Sequence, residues 1–123
     1  MAAVTLQELI AQREQIDEKK KQLHEIETSV GTLVVKRPDA AIVADMQNLR
    51  NPVDMNAFLI YNCVVDPNLR NAELQKAYGT FEGLDIVKKI FPPGEIVRIA
   101  DALLELAGYG GKLETRVHES VKN

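Results

Sequence analysis

Apolar and polar positions fall into helical order within the first few residues. Thr5-Leu6-Gln7-Glu8 has the form of a capping box, in which the Thr5 hydroxyl accepts from the Glu8 amide and the Glu8 carboxylate reaches back to Thr5. From there to about Lys21 neither Gly nor Pro occurs. The apolar residues are confined to Leu6, Leu9, Ile10 and Ile16, with Leu23 continuing the spacing of seven from Leu9 and Ile16. This pattern predicts an amphipathic helix within residues 1–22, with a thin stripe and a mostly solvated surface. The period then changes. Leu23, Glu25 and Glu27 alternate with His24, Ile26 and Thr28, Ser29-Val30-Gly31 supplies turn chemistry, and Thr32-Leu33-Val34-Val35-Lys36 is β-branched and short. Residues 23–37 therefore read as a β-hairpin, ended by Pro38, which has no amide to extend a ladder. Two strands alone are marginal, so the hairpin must lean on a helix or on a second copy of itself.

The remainder reads as helices. Asp39 is placed to cap a helix reaching about Leu49, with Ile42, Val43, Met46 and Leu49 on one face. Asn51-Pro52 starts another, over roughly Val53–Val65, apolar on nearly every side and so the central buried element. Asp66-Pro67-Asn68 breaks it. A short helix over Ala72–Tyr78 follows an Asn71 cap and ends at Gly79. Another spans Leu84 to Ile90 and stops at Phe91-Pro92-Pro93-Gly94. The last runs from about Glu95 to Ala107, with Ile96, Ile99, Ala100, Leu103 and Ala107 as its inner stripe. The expected fold class is mainly α, a small helical domain with a short N-terminal β-hairpin between the first helix and the helical body. The predicted organisation is a single domain over 1–123, with the helical body at 39–107 and a flexible tail at 108–123.

Composition narrows the function. The 123 residues are 46% apolar and 27% charged, an ordinary globular mix, with a net charge of −3. Acidic and basic residues are spread evenly, and no segment has the basic excess needed to neutralise phosphates, which argues against nucleic acid and membrane surfaces as partners. No apolar run approaches the roughly 20 residues of a membrane span, and Met1-Ala2-Ala3-Val4-Thr5 lacks the charged and apolar regions of a signal peptide. The lone Cys63 has no partner for an internal disulfide, which suits a reducing cytosol.

No catalytic constellation emerges, so no enzyme is expected. Cys63 lies in the most apolar predicted helix, where a thiol acts as a small hydrophobe rather than a nucleophile. His24 and His118 are far apart, with no Cys or His at ligand spacing, so neither a metal nor another cofactor is expected. Asp101 and Glu105 share a helix face, but one turned away from the apolar stripe. Gly108-Tyr109-Gly110-Gly111 follows a helix instead of preceding one and lacks Gly-Lys-Ser/Thr, so it reads as a helix stop and not a phosphate loop. Asp66-Pro67-Asn68 offers too few acidic oxygens for calcium. What remains is surface. The stripe Leu9–Ile16–Leu23 is too short for an independent coiled coil. It either packs on the chain's own body or serves a second copy or another partner. The candidate partner-binding residues are Leu9, Ile16 and Leu23, with Val34 and Val35 on the hairpin. The hairpin's edge strands also admit a homo-oligomer.

Several segments, taken together, resemble the tail assembly chaperones of long-tailed bacteriophages, specifically the XkdN-like group of Gram-positive phages and defective prophages. The resemblance lies in Thr5-Leu-Gln-Glu-Leu-Ile10, in Val34-Val-Lys-Arg-Pro38, and in Leu59-Ile-Tyr-Asn-Cys-Val-Val-Asp-Pro-Asn-Leu69 followed by Glu73-Leu-Gln-Lys-Ala-Tyr-Gly79. It continues through Leu84-Asp-Ile-Val87, Phe91-Pro-Pro-Gly-Glu95, Ala102–Leu106 and Gly108-Tyr-Gly110; Tyr61 to Gly79 is the most specific part. The resemblance implies a non-catalytic assembly factor of the host bacterial cytoplasm. Such a factor binds the tape-measure protein, keeps it soluble, helps recruit tail-tube protein, and is absent from the mature virion. A structural head–tail or tail-completion protein retained in the virion is the alternative. The family is often made in two lengths by ribosomal frameshifting. Val121-Lys122-Asn123 is compatible with GUA-AAA-AAC, which contains the slippery run A-AAA-AAC.

Overall fold

The computed structural model describes residues 2–81 and 83–118. Thr5 caps α1 (Leu6–Ala11) through the capping box: its Oγ1 accepts from the Glu8 amide at 3.1 Å, and the Glu8 carboxylate accepts from the Thr5 amide. A turn at Gln12 separates α1 from α2 (Arg13–Lys21), so the single predicted helix is two consecutive pieces. Backbone bonds from Gln12 N–H to Glu8 O and from Ile16 N–H to Gln12 O carry the helical path across the junction.

The hairpin forms as β1 (Leu23–Thr28) and β2 (Gly31–Lys36), paired antiparallel with Ile26 opposite Leu33 and His24 opposite Val35. Gly31 takes a positive φ of 126° at the turn, a conformation that favours glycine. After α3 (Ala40–Gln47), capped by Asp39 Oδ1 accepting from Ile42 N–H, comes α4 (Pro52–Cys63), capped by Asn51. Here one expectation is corrected. Helix α4 stops at Cys63, and Val64–Asp66 form β3, which pairs antiparallel with β2 across a bulge at Val34/Val35. The sheet order is β1-β2-β3. Thus the hairpin leans on the chain's own third strand, and β2 is central, not an edge. Residues preceding proline favour extended backbone, and Asp66 precedes Pro67.

Helices α5 (Ala72–Ala77), α6 (Asp85–Ile90) and α7 (Pro93–Leu106) complete the chain order. A second correction concerns α7: it begins at Pro93, so the Pro-Pro-Gly segment that ends α6 also opens α7, with Pro93 in its first turn. Both α5 and α7 end on a left-handed glycine in a Schellman arrangement. After α7, Gly108 (φ 93°) donates to Glu105 O at 3.0 Å and Tyr109 to Leu104 O at 2.9 Å.

The core lies where α4 meets α7, α3, α6 and the inner face of the sheet. Leu33 and Val35 from β2, Leu59, Ile60 and Cys63 from α4, and Ile99, Ala100 and Leu103 from α7 are all essentially closed to solvent. The architecture is mainly helical with a small three-stranded antiparallel sheet. Residues 112–118 lie exposed outside helix and strand.

Candidate partner-binding surface

Helices α1 and α2 contain no buried residue. Leu6 is 79% exposed, Leu9 48%, Ile10 59% and Ile16 40%, so the stripe does not pack into the core described above. Lys19, Lys20 and Lys21 occupy the last turn of α2, where cations meet the negative end of the helix dipole. Leu23 is 52% exposed and stands on the outer face of the sheet opposite Lys36. Val34 is half-buried on the same outer face, between Glu25 of β1 and Asp66 of β3.

Val35 is a correction. Expected on an exposed hairpin, it is fully buried, paired with Val64 of β3 and facing the core. Adjacent strand residues point to opposite faces, so Val34 and Val35 could never have shared one surface. The alternation of Thr32, Val34 and Lys36 against Leu33 and Val35 carried that signal.

Where α2 approaches the body, a cleft of about 380 Å³ opens between Lys20 on one side and Arg37, Pro38, Val43, Ala107 and Tyr109 on the other. Asp39 also lines it, its carboxylate engaged in capping α3. Lys20 lies one helical turn beyond Ile16, so the apolar stripe and the cleft are continuous.

Two further contacts brace the scaffold beneath this surface. Glu95, in the first turn of α7, is buried, and its carboxylate accepts from the Ser29 amide at 2.8 Å and from Ser29 Oγ at 2.5 Å. Those two bonds fasten the hairpin turn to α7 and hold the Glu95 carboxyl below its usual pKa; desolvation opposes them and Arg98 adds to them. Sequence reasoning missed this pair because 66 positions separate the partners. The Arg70 guanidinium stacks 4.3 Å from the Tyr61 ring and donates to Asn62 Oδ1 at 2.7 Å, closing the loop after β3 onto α4.

The groups weighed for chemistry stay apart. Cys63 is buried, and desolvation pushes its thiol up to about 11, with Lys36 opposing and Asp39 adding to the shift. His24 is half-buried on the inner sheet face and His118 is exposed, while Asp101 and Glu105 both face solvent. Among the described residues, no group of three His, Cys, Asp or Glu side chains is placed to hold a metal ion, and no helix is long and apolar enough to cross a membrane. Val121-Lys122-Asn123 lies outside the described residues.

A family model described as phage XkdN-like tail assembly chaperone protein matches residues 12–122. No curated protein and no solved structure matches the chain.

Proposed function

The chain belongs to the XkdN-like family of phage tail assembly chaperones, and on that premise we propose that it binds the tape-measure protein through the exposed stripe of α1 and α2, keeping it soluble while tail-tube subunits assemble around it. The observation that carries this reading is a 16-residue helical segment, Leu6–Lys21, that displays four large apolar side chains and buries none. A tape measure is a long helical protein whose apolar stripes aggregate unless covered. An amphipathic helix covers such a stripe by lying along it, and a narrow one with a polar rim releases it again. The chaperone acts by contact and not by catalysis, works in the host bacterial cytoplasm, and leaves before the virion is complete.

Co-expression with the neighbouring tape-measure gene tests this directly. The tape measure should move from the insoluble to the soluble fraction and co-purify with the chaperone. Mass spectrometry of purified particles should find the chaperone missing. A tape measure equally soluble alone, or stoichiometric chaperone in finished particles, defeats the proposal; the latter outcome describes a structural tail protein instead.

A further inference from the structure

Strand β1 is an edge. The sheet order leaves it paired on one side only, and beyond its ladder with β2 residues 23–28 make no backbone hydrogen bond among the described residues. Every second residue therefore directs an amide and a carbonyl outward. The two faces of β1 differ: His24, Ile26 and Thr28 are half-buried towards the core, while Leu23, Glu25 and Glu27 are exposed on the outer face.

A second segment has strand period but forms no strand. Along Lys112-Leu113-Glu114-Thr115-Arg116-Val117-His118, charged residues and His118 alternate with Leu113, Thr115 and Val117, and Leu113 and Val117 are 91% and 88% exposed. Helix α7 delivers this segment to β1. Glu95 in its first turn is tied to Ser29, just past the end of β1, whereas Ala107 and Tyr109 line the cleft with Lys20, just before the start of β1. Helix α7 thus runs antiparallel to β1, and the chain leaves the cleft through Gly110-Gly111 beside the beginning of that strand. The five residues from Tyr109 to Glu114 can span about 17 Å, ample to reach Leu23, which lies three residues beyond Lys20.

We infer that residues 114–118 dock on the free edge of β1 in their own chain as a fourth strand, parallel to it, closing the edge that the structure shows open. An antiparallel tail would first have to cross the length of β1, about 20 Å, which takes up nearly all of it. Matching polar face to outer face and apolar face to inner face sets Glu114 beside Leu23, Arg116 beside Glu25, Val117 beside Ile26 and His118 beside Glu27. Arg116 then meets a carboxylate, and Glu114 looks across Leu23 to Lys36 on β2. A two-residue slip one way sets Glu114 beside Glu25, and a slip the other way brings Arg116 next to Lys36. A second copy of β1 is the poorer occupant, because the face-matched antiparallel registers centred on the strand set Glu25 against Glu25 or Glu27. The short connection also holds the tail at an effective concentration on the order of millimolar, which favours it over the tail of a second copy. Docked, it would keep the sheet of one copy from templating that of another.

Paired cysteines in the full-length protein test this. Leu23→Cys/Glu114→Cys places both thiols on the outer face and keeps the Glu25–Arg116 and Ile26–Val117 pairs; Leu23→Cys/Thr115→Cys aims the second thiol at the other face. Cys63 is buried and stays out of the reaction. Under mild oxidation the first pair should close within the monomer at least about tenfold faster than the second, and adding Val117→Asp should erase the difference. In the wild-type sequence, the β1 amides facing away from β2 should exchange at least about threefold more slowly than in Val117→Asp, as for a tail docked about two-thirds of the time. Val117 is exposed, so circular dichroism should show the same fold in both. Glu25→Arg should remove the protection, and Glu25→Arg/Arg116→Glu should restore it.

Equal closure of the two cysteine pairs, closure of neither, exchange indifferent to Val117→Asp, or a charge swap that fails to restore protection overturns the inference. So do disulfides formed between chains, or a dimer in sedimentation that Val117→Asp converts to monomer, because another copy then occupies the edge.

Discussion

Replacing both Leu9 and Ile16 by Asp should separate binding from folding. The two side chains are 48% and 40% exposed, and neither helix that carries them has a buried residue. Aspartate in a helix interior costs roughly 0.5 kcal/mol relative to the better helix formers. Loss of the remaining apolar contact adds at most a similar amount per site. The double variant should therefore lose roughly 1 to 2 kcal/mol. With an unfolding entropy of about 2.1 cal/mol/K per residue, a chain of this length loses about 4 °C of melting temperature per kcal/mol. The expected fall is thus about 4 to 8 °C, with the transition still cooperative. Val35→Asp is the contrast: it places a carboxylate at a site with no exposure, costs several kcal/mol, and should abolish the cooperative transition. Thermal melts by circular dichroism, run beside the tape-measure co-purification assay, read both consequences. A melting temperature lowered by more than about 15 °C in the double variant would show that the stripe belongs to the core. A double variant that folds and still holds the client would show that binding lies elsewhere.

The core and its tethers give other expectations. Leu103→Ala removes a fully buried side chain at the α4–α7 contact and should cost about 3 kcal/mol, seen as a shift of about 12 °C in the melt; a shift under about 4 °C would contradict that packing. Glu95 is held below its usual carboxyl pKa by its bonds from Ser29, so its contribution to stability is fully present above about 4.5 and is lost as pH falls through the lower folded value. Denaturation midpoints measured from pH 6 downward should consequently fall more steeply for wild type than for Glu95→Gln, and parallel curves would refute the link. Cys63, buried and with its thiol pushed up to about 11, should resist a thiol reagent at pH 8 in the folded protein and react once denatured. Rapid stoichiometric labelling of the native chain would contradict its placement.

Local rules recovered most of the helices, because their signals are carried by neighbouring residues. Thr5, Asp39, Asn51 and Asn71 all cap as their side-chain chemistry dictates, and Gly79 and Gly108 close α5 and α7 with positive φ. The failures have equally physical causes. Cys63-Val64-Val65 extends the apolar run of α4, and a short apolar run does not distinguish helix from strand; tertiary pairing with β2 decided it. Pro92-Pro93 ends α6, but the rule that marks Pro52 as a helix start applies to Pro93 too. The stripe of α1 and α2 was visible from spacing alone, but its exposure depends on tertiary placement, which no local pattern encodes. Ser29 and Glu95 offered no local pattern, since each residue alone looks like an ordinary turn or helix-start residue.

The apolar side chains fall into two separate sets, a buried core and an exposed N-terminal stripe. Nearly all the residues closed to solvent lie between Leu33 and Leu103, and α1 and α2 supply none of them. Stability therefore does not depend on whether the stripe is covered, and a client can take or leave it without unfolding the chaperone. The same separation limits the strength of any single contact. A helical segment of 16 residues is about 24 Å long and presents roughly two heptads of seam, far less than an obligate interface requires. One copy would hold a client weakly. On the proposed reading, coverage of a client would come from many weak occupants. Each would be free to dissociate, which a single tight and extensive interface would prevent.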